Sequence, residues 1–195
     1  MIKNTITVTA LRLFLSHGYK YVSLVGVANE VGITKGGIYH YFSSKEELLN
    51  AAVQFLFDHL KAKFIQLFSG EKSIREILYV IIVEQEVDHY MKEMIGGGAE
   101  EVGRMNEDNI KIEIMQHFPH LCKRIDSDHL EICRAIEKKL HRALQNGEIR
   151  GDIDPKMMAI IILTFLNGQK SQGIFANDLE VKKQMMENFY KLICV

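Results

Sequence analysis

A chain of 195 residues is long enough for one or two compact domains with a sizeable core. Two prolines, no tryptophan and long stretches without glycine point to an all-α protein. The net charge of −1 conceals an asymmetry. Residues 1–46 hold Lys3, Arg12, Lys20, Lys35 and Lys45 against Glu30 and Glu46, so a basic head precedes an acidic body, which suits phosphate binding at one end. Cys122, Cys133 and Cys194 are odd in number and lack the CxxC spacing of a metal or redox site, which reads as reduced thiols in a cytoplasmic protein. No signal peptide is expected, because Thr and Asn interrupt the first ten residues. No membrane span is expected either, because the apolar run Met157 to Leu163 is too short.

Ile6, Ala10, Leu13 and Phe14 recur at helical spacing, and Gly18 closes a first helix. Ser23 can cap a short second helix with Leu24, Val27, Ala28 and Val31 inward. Gly32 can take φ > 0 and end it in a tight turn. Thr34 then caps a third helix, Lys35 to about Tyr41, with Ile38 and Phe42 inward. Two helices joined by a short Gly-containing turn form a helix-turn-helix signature. Gly36 and Gly37 cost about 1 kcal/mol each relative to Ala, yet they let a phosphate approach the backbone closely. Tyr39, His40, Tyr41 and Lys45 gather donors and stacking surfaces at one end. The same residues also fit an αα-corner of a bundle, with Tyr39 and Tyr41 as packing groups.

Residues 6–52 resemble the DNA-binding domain of the TetR family of one-component transcriptional regulators. The resemblance is carried by Ile6, Ala10, Phe14, Gly18, Tyr19, Ser23, Val27, Ala28, Gly32, Ile33, Thr34, Lys35, Gly36, Ile38, Tyr39, Tyr41, Phe42, Lys45, Glu46, Leu48 and Leu49. It implies that Lys35, Tyr39, His40 and Tyr41 supply groove and phosphate contacts, that Ser23 and Lys45 hold phosphates, and that Thr34, Gly36 and Gly37 lie at the same DNA surface. Two departures predict modest backbone affinity. Lys3 stands alone where the family has a basic arm, and Val25 and Gly26 stand where a polar residue is common.

Ser44 can cap a long helix, Lys45 to about Phe68, with Leu48, Leu49, Ala52, Phe55, Leu56, Leu60, Phe64 and Leu67 on one wide apolar face. It reaches from the head into the body, as a lever between them. Ser73 starts the next helix, expected to run to about Ile95, and Gly96-Gly97-Gly98 reads as a flexible connection. Further helical patterns cover Glu107 to Phe118, Ser127 to Gln145, a stretch opened by Pro155, and Leu179 to Ile193. Met157 to Leu166 is apolar nearly all round and needs cover on every side. A second copy of the chain is expected there, on Ile161, Phe165, Met185, Met186, Phe189, Tyr190 and Ile193; the family's dimer interface implies the same.

No hydrolase elbow, zinc-protease, Walker or dinucleotide motif is present in the sequence, which speaks against a small helical enzyme. His117, His120, Cys122, His129 and Cys133 are explained more simply as surface histidines and core thiols than as metal ligands, and neither metal nor cofactor is expected. Polar groups set in apolar stripes, with the family's small-molecule-binding body, nominate Phe64, Gln85, His89, Met115, Phe118, Cys133 and Phe165 as a pocket for an apolar or amphipathic effector. The sequence therefore predicts an all-α protein with an N-terminal three-helix helix-turn-helix domain (residues 1–46). A C-terminal helical bundle that binds ligand and dimerises (residues 47–195) follows. The expected function is that of a cytoplasmic homodimeric regulator on a palindromic double-stranded DNA operator, a repressor released by its effector. An activator or a ligand-independent regulator is the alternative.

Overall fold

The structure, a computed structural model, describes residues 2–96, 108–169 and 178–194. Among them every regular element is helical, apart from one isolated antiparallel bridge between Ile149 and Cys194. The helices are α1 (Ile2–His17), α2 (Leu24–Val31), α3 (Lys35–Tyr41), α4 (Lys45–Ser69), α5 (Ile74–Ile82), α6 (Glu86–Ile95), α7 (Asp108–His117), α8 (Pro119–Gln145), α9 (Pro155–Gln169) and α10 (Leu179–Lys191). A 3₁₀ turn, Tyr19–Tyr21, follows α1. No helix of the described residues is long and apolar enough to cross a membrane.

The chain divides into two compact units, Met1–His59 with Tyr90–Asp126, and Leu60–His89 with Ser127–Val195. The expected 1–46 head lies wholly within the first. There α1, α2 and α3 close on Ile6, Ala10, Leu11, Phe14, Val27, Ala28, Ile38 and Phe42, all at most 1% exposed. Ala28 keeps the crossing close, and each buried Ile, Leu or Phe contributes about 1.5–3 kcal/mol. Arg12 in α1 pairs with Glu30 in α2 at 2.7 Å. α7 completes this unit by packing on α1 and the 3₁₀ turn.

The second unit is built on longer apolar stripes. Phe64 and Phe68 of α4, Ile74, Ile77 and Leu78 of α5, Ile136 and Leu140 of α8, Ile162 and Leu166 of α9, and Met186 and Phe189 of α10 form one core. The carboxylate of Asp128, 2% exposed, is paired with Lys61 at 2.7 Å, which offsets its loss of hydration. Lys139 donates to the Gly70 carbonyl at 2.8 Å, just beyond the carboxyl end of α4. Ser73 and Glu76 form the reciprocal capping box that opens α5.

Several sequence expectations change. The helix expected from Ser73 to Ile95 is two helices, because Gln85 takes φ 53 and the Val83 and Glu84 amides both turn back to the Tyr79 carbonyl. A left-handed turn at a non-glycine costs about 1–2 kcal/mol, and Val83 and Val87 on either side of it are buried. The helix expected from Ser127 begins eight residues earlier with Pro119, which needs no amide partner at a first helical position. α10 ends at Lys191, so Ile193 lies beyond it, and the Arg150 amide bonds the Ile193 carbonyl at 2.9 Å. Glu107 and the Gly97-Gly98 part of the triple glycine lie outside the described residues.

Candidate nucleic-acid interface

The local chemistry that builds the α2–turn–α3 unit is visible atom by atom. The Ser23 hydroxyl accepts from the Gly26 amide at 3.0 Å, starting α2. Gly32 ends it in the left-handed region at φ 78 and ψ 30, with its amide turned to the Ala28 and Asn29 carbonyls. Thr34 Oγ1 accepts from the Gly37 amide at 3.0 Å and starts α3. Ile38 and Phe42 anchor α3 inward, at 0% and 1% exposed. That rotation leaves Lys35, Gly36, Tyr39 and His40 in solvent, with Tyr41 half-buried and its ring edge-on to His40 at 5.1 Å.

Ser23 and Thr34 each use the hydroxyl oxygen as an acceptor, which leaves both O–H protons available to a phosphate oxygen. The two glycines differ. A Cβ on Gly37 would stand 3.3 Å from Thr34 Oγ1, crowding the cap, whereas one on Gly36 would meet only that oxygen, at 4.0 Å. Gly37 therefore has a reason inside the chain, and Gly36 leaves its side of the backbone open to an approaching molecule.

The basic residues are not equally available. Arg12 is tied to Glu30, and the Lys3 ammonium lies over the Phe42 ring at 5.4 Å. Lys45, the first residue of α4, places Nζ 4.2 Å from the Tyr19 ring centroid and donates to the Lys20 carbonyl at 3.4 Å. Burial pushes its pKa down, and Glu113 pulls it partly back. The start of α4 is capped twice, by the Glu47 amide donating to Ser44 Oγ at 3.1 Å and by Glu47 Oε2 accepting from the Ser43 amide and hydroxyl, both at 2.7 Å. Those two bonds from Ser43 hold the Glu47 carboxyl below the usual carboxylate range. Tyr21, two positions before Ser23 and not nominated by the sequence, is 81% exposed.

The seven pocket candidates are not one stripe. Met115 is 75% exposed and His89 is exposed, so neither lines the interior of its unit. Gln85 sits half-buried at the break before α6, outside the helical register of α5. The Phe118 ring lies edge-on to Tyr19 at 5.5 Å in the first unit. Phe64, Cys133 and Phe165 belong to the core of the second unit or its margin, where burial pushes the Cys133 thiol up.

Of the expected dimer residues, Met186, Phe189 and Ile193 are already covered by their own chain, at 1%, 8% and 0% exposed. Phe165 stacks on Phe189 at 4.3 Å. Met185 and Tyr190 are half-buried, and an outward strip of α9 is uncovered, with Met157, Ile160 and Ile161 at 51%, 44% and 47% exposed. Among the described residues, no group of three or more His, Cys, Asp or Glu side chains is placed to hold a metal ion.

Residues 6–52 match the family model of bacterial regulatory proteins, tetR family. Over 184 residues the chain is 27% identical to the HTH-type transcriptional regulator AcrR of Shigella flexneri, covering 90% of this chain and 80% of the relative. The fold matches a TetR-family transcriptional regulator from Cytophaga hutchinsonii with a TM-score of 0.74 at 20% identity, covering 99% of this chain and 94% of the other. It also matches a regulator fold from Saccharomonospora viridis, solved in complex with choline, at a TM-score of 0.74 and 19% identity over 99% and 97% of the two chains.

Proposed function

We propose that this chain, a member of the TetR family of helix-turn-helix transcriptional regulators, is a cytoplasmic homodimeric repressor that a small effector releases from a palindromic operator. The observation that carries the DNA reading is α3 itself. Its inward anchors Ile38 and Phe42 turn Lys35, Tyr39 and His40 outward together, on a helix held by the Thr34 cap. Lys35 and Tyr39 suit phosphate and groove contacts, and His40 suits a base edge. The uncovered apolar strip of α9 supports assembly, since a C2 dimer buries the same strip from both copies. Two recognition helices on a palindrome then sit about one DNA turn, roughly 34–36 Å, apart.

The effector reading rests on the body's composition. Phe64 in the core of the second unit, with Phe165 and half-buried Cys133 packed against that core, offers an apolar setting for an apolar or amphipathic compound. Such a compound shifts DNA affinity only by its preference between two states of the protein, typically about 1–3 kcal/mol.

Selection of bound fragments from genomic DNA, followed by gel shifts over a salt series, tests the proposal. A recovered palindrome bound with affinity that falls steeply with salt is the expected result. Recovery of no common sequence, or affinity indifferent to salt, overturns it.

A further inference from the structure

Lys45 stands at an unfavourable place for a cation: the first residue of α4, where the helix dipole presents positive charge. Three neighbours hold its ammonium there. The Tyr19 ring face lies beneath Nζ at 4.2 Å, the Lys20 carbonyl accepts from it at 3.4 Å, and Glu113 of α7 acts on it electrostatically. Tyr19 is itself held from two sides. It packs on Phe14 at 5.6 Å, and the Phe118 ring meets it nearly perpendicular, at 79° and 5.5 Å. Phe118 is only 6% exposed, at the joint between α7 and α8. A residue a hundred positions along the chain thus backs the ring on which a cation of the head rests.

We infer that Tyr19 is a positioning residue for Lys45, and that Phe118 fixes the Tyr19 ring from behind, so that a DNA phosphate meets an ammonium already in place. A free lysine side chain loses much rotamer freedom when it binds an anion. A cation resting on a ring face has lost part of that freedom beforehand, and the ring uses none of its three N–H donors. One donor is directed at the Lys20 carbonyl, which leaves two for phosphate oxygens. The inference rests on the reading of Lys45 as a phosphate contact, and the test separates the two.

Binding to one fixed duplex bearing the selected operator is measured over a salt series for Lys45→Gln, Tyr19→Phe, Tyr19→Leu, Phe118→Leu and the Tyr19→Leu/Lys45→Gln double variant, with thermal melting as the check on folding. Lys45→Gln lowers the salt slope by about one ion per recognition helix. Tyr19→Phe keeps the ring face and binds like the unchanged protein. Tyr19→Leu weakens binding roughly 2- to 5-fold and lowers the slope as Lys45→Gln does, yet adds nothing in the Lys45→Gln background. Phe118→Leu weakens binding in the same direction by a smaller factor, and it carries the test if Tyr19→Leu fails to fold. A slope unchanged by Lys45→Gln overturns the phosphate reading. With that slope lowered, the positioning role falls if Tyr19→Leu or Phe118→Leu binds like wild type or tighter, or if Tyr19→Leu weakens both backgrounds equally.

Discussion

Among the described residues, α3 and α9 each present an exposed face, and the two faces have opposite chemistry. α3 shows solvent a lysine, a glycine, a tyrosine and a histidine; α9 shows Met157, Ile160 and Ile161. A polar, donor-rich face gains by meeting an anion, whereas an apolar strip gains by leaving water. The stability of each helix is separated from its uncovered face in the same way. Ile38 and Phe42 hold α3, and Ile162 and Leu166 hold α9, so the outward residues are free to serve recognition. Exposure alone says little; the chemistry of what is exposed suits one face to nucleic acid and the other to the proposed dimer seam.

The largest effect expected is on α9. Ile161→Glu places a charge in the proposed dimer seam and weakens association by about 2–4 kcal/mol, giving monomers by analytical ultracentrifugation and loss of palindrome binding. A dimer of unchanged strength breaks the assignment of that face. On α3, His40→Ala is expected to cost about 1–3 kcal/mol on the preferred operator and to relax base preference at one position. Lys35→Ala instead weakens binding evenly across sequences and lowers the salt slope. If both variants behave alike in a binding-site selection, the division of α3 into base and phosphate contacts is wrong.

A smaller pair of variants separates fold from function within α3. Thr34→Ala removes the cap and lowers stability by about 1 kcal/mol in thermal melting. Gly36→Ala meets only Thr34 Oγ1, at an ordinary contact distance of 4.0 Å, so it raises stability by up to about 1 kcal/mol while weakening DNA binding, if the backbone there is approached closely. Equal or tighter DNA binding by Gly36→Ala removes close approach as the reason for that glycine.

The smallest effect compares the helix starts of the two units. Glu47 and Glu76 each accept from a serine amide and hydroxyl, and both carboxyls sit below their ordinary value for that reason. A carboxyl depressed in the folded state contributes stability above its unfolded value, about 4.3 for Glu. That contribution is lost as pH falls through the folded value. Glu76→Gln keeps the capping geometry without the charge, so its melting deficit is expected near neutral pH and to shrink in acid. A deficit independent of pH removes the charge from the explanation.

The head was legible in the sequence almost to the atom, because each of its features is local. Ser23, Gly32 and Thr34 act on amides and dihedrals within a few residues, and Ile38 and Phe42 follow the helical period. Such signals need no knowledge of distant chain. The body was legible only as helices. Nothing between Ser73 and Ile95 marks a stop by Gly or Pro, yet Gln85 takes a left-handed turn that divides the stretch into two helices. The sequence likewise set out the apolar stripes of α9 and α10 but not which residues meet their own chain; tertiary packing covers Met186, Phe189 and Ile193 and leaves Ile160 and Ile161 outside. It nominated Phe118 and Lys45 separately, for a pocket and for a phosphate, and only the fold brought Tyr19 between them. Caps and turns are decided over one helical turn, where the chain's own geometry dictates who meets whom; burial and ring contacts are decided by residues tens of positions apart, whose meeting depends on how all the helices close together.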